Sequence, residues 1–88
     1  MGQVAVLFRL MPQGVETDMR AMAEAVRSTV PPGVTVRGLQ VKDIAYGLKS
    51  LLVSVVMADA GGVLEATEQA FAKVPYVESV EVMEEGLL

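Results

Sequence analysis

The chain contains no cysteine, no histidine and no tryptophan, and its aromatic residues are two Phe and two Tyr. Without cysteine there can be no disulfide and no thiolate metal site, so packing alone has to hold the fold. Without histidine, a Ser-His-Asp triad, a Cys-His pair and a His-ligated zinc site are all excluded within these residues. Positive charge is sparse as well. Arg9, Arg20, Arg27, Arg37, Lys42, Lys49 and Lys73 are scattered against 11 acidic residues, for a net charge of −4. A nucleic-acid binder gathers basic residues to displace counterions from phosphates and uses aromatics to stack on bases. Neither pattern is present, and no direct nucleic-acid partner is expected. Met1 to Met11 is apolar but lacks the basic start and cleavage site of a secretory signal. No apolar run has the length a bilayer requires. A soluble cytoplasmic domain with no membrane partner is the expectation. Eighty-eight residues, 52% hydrophobic and 20% charged, suffice for one folded domain over 1–88 without a second core.

What is present is strong alternation. From Leu48 onward, Leu51, Val53, Val55 and Met57 fall on one side and Ser50, Leu52, Ser54 and Val56 on the other. Period-two spacing rich in β-branched residues marks a strand, here a central one. Gln3 to Met11 reads as another strand, with Val4, Val6, Phe8 and Leu10 on one face, closed by Pro12. Thr17 or Asp18 can cap a helix whose apolar stripe is Met19, Met22, Ala23 and Val26, with Arg20, Glu24 and Arg27 facing water. Pro31-Pro32-Gly33 stops it. Val34 to Lys42 is a strand whose alternation changes phase at Gly38, which predicts a bulge there. Asp43 to Gly47 turns the chain into the central strand. After Gly61-Gly62, a second helix over Val63 to Lys73 carries Val63, Ala66, Thr67, Ala70, Phe71 and Val74 on its apolar side. Tyr76 to Met83 is a last strand with Val80 and Val82 inward, and 84–88 a short tail. The order β-α-β-β-α-β predicts an α+β, ferredoxin-like sandwich: a four-stranded antiparallel sheet in order 4-1-3-2 with two helices on one face.

Candidate sites are few. Gly61-Gly62 before a helix could hold an anion on bare N–H groups, but no G-x-G-x-x-G or phosphate-loop pattern accompanies it, and a flexible strand-to-helix turn is the preferred reading. Glu78, Glu81, Glu84 and Glu85 read as a solvated edge and tail, since adjacent residues in a strand point to opposite faces. No metal site and no cofactor are expected. The sheet face away from the helices would show Ala5, Leu7, Leu52 and Val56 beside Arg9, Ser50, Ser54, Ser79 and Glu81, apolar enough to meet a partner. Tyr46, between Ala45 and Gly47, is either a satisfied core ring or an anchor for a partner's pocket.

Three segments carry a resemblance spanning nearly the whole chain. Met1-Gly2-Gln3-Val4 leads into a strand ending Met11-Pro12, followed by a helix opening Thr17-Asp18-Met19. Asp43-Ile44-Ala45-Tyr46-Gly47-Leu48-Lys49-Ser50-Leu51 is similar to a Pro-Ile-(Ala/Gly)-Phe-Gly-(Leu/Ile) turn and strand. Val77-Glu78-Ser79-Val80-Glu81-Val82 is similar to a Val-Gln-Ser-Val-Asp-Ile strand. Together they resemble the guanine-nucleotide-exchange domain of translation elongation factor 1-beta in its short archaeal form. The resemblance implies an exchange factor that speeds GDP release from the GTPase elongation factor 1-alpha, without covalent chemistry, as a monomer or weak homo-oligomer. It implies partner contacts at Ile44, Tyr46, Gly47 and Lys49 and at Glu84, Glu85, Leu87 and Leu88. Two positions depart from the family. Tyr46 stands where the family has Phe, and the penultimate residue, a lysine at the partner's magnesium site in the eukaryotic form, is Leu87. No Lys or Arg follows Lys73, which leaves three alternatives: contact near Tyr46 and the tail suffices, the favoured one; the acidic tail draws on the cation; or exchange is weak. Two other readings share the fold, since one fold hosts many functions: a small-ligand regulatory module, and an acylphosphatase-like enzyme. The latter would need an arginine in an anion-cradling loop, which Gln13-Gly14-Val15 lacks.

Overall fold

A computed structural model describes residues 2–88; Met1, with which the first resembling segment opens, lies outside the described residues. The elements are β1 (Gln3–Pro12), α1 (Met19–Ser28), β2 (Val34–Ala45), β3 (Leu48–Ala58), α2 (Val63–Ala72) and β4 (Val77–Leu87). All strand pairs are antiparallel and the sheet order is β2-β3-β1-β4, so the interior strands are β3 and β1, as the alternation predicts. The fold is the expected ferredoxin-like α+β sandwich.

One face of the sheet builds the core. Val4, Val6, Phe8 and Leu10 of β1 lie opposite Met57, Val55, Val53 and Leu51 of β3, and all eight are buried. Met22 and Val26 from α1 and Phe71 from α2 close over them. The Phe71 ring meets Phe8 edge-on at 5.1 Å and 85°, a geometry that adds about 0.5–1.5 kcal/mol beyond the area buried. Asp18, not Thr17, caps α1: its carboxylate accepts from the N–H groups of Arg20 and Ala21, each at 3.1 Å. On α2, Leu64 takes the place expected of Ala66, which is exposed. Thr67 is buried because its hydroxyl donates to the Val63 carbonyl at 2.8 Å, the satisfaction a buried polar group requires.

Bulges account for the irregular strands. In β2 the register shifts between Val36 and Gly38, leaving Arg37 as the extra residue where the change of phase was expected. A second shift leaves Ile44 unpaired, and β2 continues to Ala45 beyond the predicted end at Lys42. In β4 a shift against Leu7/Phe8 leaves Met83 extra, and the strand then runs on. Residues 84–87 are therefore not a tail but ladder: Glu84 lies opposite Leu7, Glu85 opposite Val6, Gly86 opposite Ala5 and Leu87 opposite Val4. The N–H of Leu88 donates to the Gln3 carbonyl at 2.9 Å. Without these pairings, the first half of β1 would leave one row of backbone groups unsatisfied.

On the outer face, Ala5, Leu7, Leu52 and Val56 are half-exposed, and Arg9 forms a cross-strand ion pair with Glu81. Ser50, expected there, is buried opposite the long side chain of Lys42.

Candidate functional site

The β2–β3 hairpin outgrows the rest of the sheet. The β1–β3 ladder ends at Leu10↔Leu51, whereas β2 and β3 stay paired through Lys42↔Ser50, Asp43↔Lys49 and Ala45↔Leu48. The last pairs thus form a two-stranded ribbon at one end of a molecule measuring 43 × 20 × 17 Å. A free ribbon is marginal in water, so its local bonds matter. Lys49 Nζ donates to Asp43 Oδ1 at 2.8 Å, clipping the two strands together just below the turn. Such an exposed cross-strand pair contributes a few tenths of a kcal/mol, up to about 1.

The turn itself is two residues, Tyr46 and Gly47, with φ of 54° and 81°. Positive φ at both positions marks the type I′ hairpin, whose twist matches the strands and whose usual sequence is Asn-Gly. Gly47 is there for its backbone, since a Cβ would meet nothing within 4 Å but would be strained at that φ. Tyr46 has no such freedom. Holding a bulky residue in the left-handed region costs about 1–2 kcal/mol. The ring gains nothing in return from its own chain: Tyr46 is 101% exposed. Of the two readings open for this residue, the buried ring is therefore eliminated. Ile44, the bulge residue beside it, is also exposed.

The other candidate residues lie elsewhere. Leu87 is in register with Val4, and Val4 with Met57, while the tip begins at Leu48. Nine positions along β3 at about 3.3 Å each put the two groups about 30 Å apart. Ile44, Tyr46, Gly47 and Lys49 stand at one end; Glu84, Glu85, Leu87 and Leu88 stand at the opposite one, beside the start of β1. Glu84 and Glu85 point to opposite faces, as adjacent strand residues must. Leu87 and Leu88 are each 73% exposed, and with Ala5, Leu7 and Ser54 they border a shallow depression of ≈ 340 Å³. Among the described residues, no cluster of three or more acidic side chains is placed to hold a metal ion.

Sequence reasoning missed Tyr76. It leaves α2 with φ of 85°, a second bulky residue in the left-handed region, and is half-exposed. Its carbonyl accepts from the N–H of Gln13, which places it at the same end of the sheet as Tyr46. It lies four residues past the end of α2 and directly after Pro75, and neither its residue type nor its position signals a positive φ.

The candidate site is thus a projecting hairpin of a ferredoxin-like sheet with an exposed aromatic ring at its tip. Residues 5–87 match the family model described as the EF-1 guanine nucleotide exchange domain, and the chain belongs to that family. It is similar to elongation factor 1-beta of Methanococcoides burtonii, 41% identical over 98% of this chain and 97% of that protein. Elongation factor 1-beta of Methanosarcina mazei is also 41% identical, over 96% of each, and that of Halorubrum lacusprofundi is 39% identical over the full length of both. Among solved structures, the solution structure of the C-terminal domain of the MgtC protein from Mycobacterium tuberculosis matches with a TM-score of 0.57. It covers 99% of this chain and 88% of that one at 18% identity, a likeness of fold alone.

Proposed function

We propose that this chain, a guanine-nucleotide exchange factor by family, drives GDP from elongation factor 1-alpha by gripping that GTPase at two separated places. The observation that carries the reading is Tyr46: a fully exposed ring held in a costly backbone conformation at the tip of a projecting ribbon. Strain of this kind persists where the surroundings over-determine it, and it clusters at ligand clamps. Exposed aromatics of this kind are the anchors that interfaces bury. The second contact is the far end of β4, with exposed Leu87 and Leu88 beside Glu84 and Glu85.

GDP is retained in such GTPases by Mg²⁺ and phosphate-loop contacts. An exchange factor does no covalent chemistry. It binds the nucleotide-poor state better than the loaded one and shifts the population by that difference. β4 itself carries no Lys or Arg, so this reading draws on no cation from that strand. Displacement instead follows from holding two points of the GTPase in a fixed relation across the length of a rigid sheet. In this reading the domain acts in the cytoplasm as a monomer or weak homo-oligomer and needs neither a cofactor nor nucleic acid.

The test is release of labelled GDP from elongation factor 1-alpha in the presence of excess unlabelled nucleotide. The chain is expected to accelerate release, and Tyr46→Ala to slow it again while the circular-dichroism spectrum and melting temperature stay put. An unchanged release rate, at concentrations where the two proteins demonstrably bind, would overturn the proposal.

A further inference from the structure

Charge is divided unevenly across the sheet. The α2–β4 side carries Glu65, Glu68, Glu78, Glu81, Glu84 and Glu85 against Lys73 alone, while α1, β2 and β3 carry Arg20, Arg27, Arg37, Lys42 and Lys49 against Glu24 and Asp43. The basic residues on this side are not equally engaged. Lys49 is held by Asp43, and Arg20 reaches Glu24 at 3.9 Å. Arg27 and Arg37 form no ion pair among the described residues, although the chain has an excess of carboxylates.

These two arginines line the same groove. It is open, with a volume of ≈ 490 Å³, and Val30, Val34 and Val36 border it beside them. A neighbouring groove shares Arg27 and extends along α1 over Ala23, Leu39, Arg20 and Glu24, the last of which faces Arg20, so Arg27 is the unpaired charge there. The trough follows β2, an edge strand whose outer backbone groups have no strand partner. Arg37 is there because of the bulge: as the extra residue between Val36 and Gly38 it stands outside the ladder with β3, and bulges serve to re-aim side chains.

We propose that this α1–β2 trough is a docking site for an acidic peptide segment, with aliphatic residues interspersed, on a partner protein. Each guanidinium presents a planar fork that matches a carboxylate bidentately. The partly buried Val30, Val36 and Leu39 accept apolar side chains, and the free edge of β2 offers main-chain hydrogen bonds to an extended segment. The same observations disfavour an RNA strand. The groove contains no aromatic residue on which a base could stack. The trough contains none of the residues assigned to the GTPase contact, so the proposal goes beyond the exchange function.

The test uses the full chain and a fluorescein-labelled decapeptide alternating glutamate with leucine, read by fluorescence anisotropy. A lysine–leucine decapeptide and a decameric oligouridylate serve as controls. The glutamate peptide is expected to bind, more tightly at low salt, and Arg27→Glu with Arg37→Glu to weaken it by about tenfold or more, as removal of paired charges does in interfaces. GDP release by the doubly reversed variant stays at the wild-type rate, which separates this site from the exchange surface. If that variant loses its circular-dichroism signature, Arg37→Gln alone, at an exposed bulge, is expected to cost about threefold. No binding of the glutamate peptide, equal affinity in the variants, tighter binding of either control, or slowed GDP release would each overturn the proposal.

Discussion

The two ends of the sheet reach toward solvent by opposite means. At the Tyr46 end, a ribbon outruns its neighbours and turns on a pair of left-handed residues, one of them bulky and wholly exposed. At the Leu88 end, β4 is laid flat against β1 and bonded through to its last residues. The first is locally unfavourable and the second locally satisfied. Natural sequences depart from local consistency where function requires it, so the proposed function ranks the hairpin as the main contact and the end of β4 as the supporting one.

That ranking can be broken. Tyr46→Ala is expected to lower the exchange rate by about 10–100-fold, the range for losing an aromatic anchor. Deleting Leu87 and Leu88 is expected to slow exchange by about three- to tenfold, as for residues flanking a hot spot. A deletion effect larger than that of Tyr46→Ala, in the same GDP-release measurement, would invert the comparison. The next prediction concerns stability. Tyr46→Asn installs the preferred Asn-Gly turn, and urea titration should show a gain of about 0.5–1 kcal/mol together with slowed exchange. A variant that is both stabilised and fully active would show that the strain serves no contact. The smallest effect is at the clip. A double-mutant cycle on Asp43→Ala and Lys49→Ala should return a coupling of about 0.5 kcal/mol in urea and a modest loss of exchange. No coupling at all would mean that the ribbon holds its shape by backbone pairing alone.

Much of this fold could be read from residue spacing, because alternation fixes which face of a strand is buried before any partner is known. The faces of β1 and β3, their interior position, the capping role open to Asp18 and the bulge near Gly38 all followed from periodicity and end chemistry. The end of β4 did not. Glu84-Glu85-Gly86 reads as a polar terminus, and what makes it a strand is the unsatisfied edge of β1, a partner 80 residues away in the chain. The same limit hid the site's geometry. Ile44, Tyr46, Gly47 and Lys49 are neighbours in sequence and in space, whereas their separation from Leu87 depends on register across three strands. Tyr76 escaped because nothing in Pro75-Tyr76-Val77 announces a left-handed backbone where glycine would normally sit.

The long ribbon also behaves as a lever. Its base is clamped where Leu10 faces Leu51 under the helices, and its free arm carries a single ring at the point of greatest sweep. If that ring is the proposed anchor, a slight tilt of the body against a bound GTPase would swing it through a larger arc than any residue nearer the clamp, turning rocking into insertion or withdrawal of one side chain.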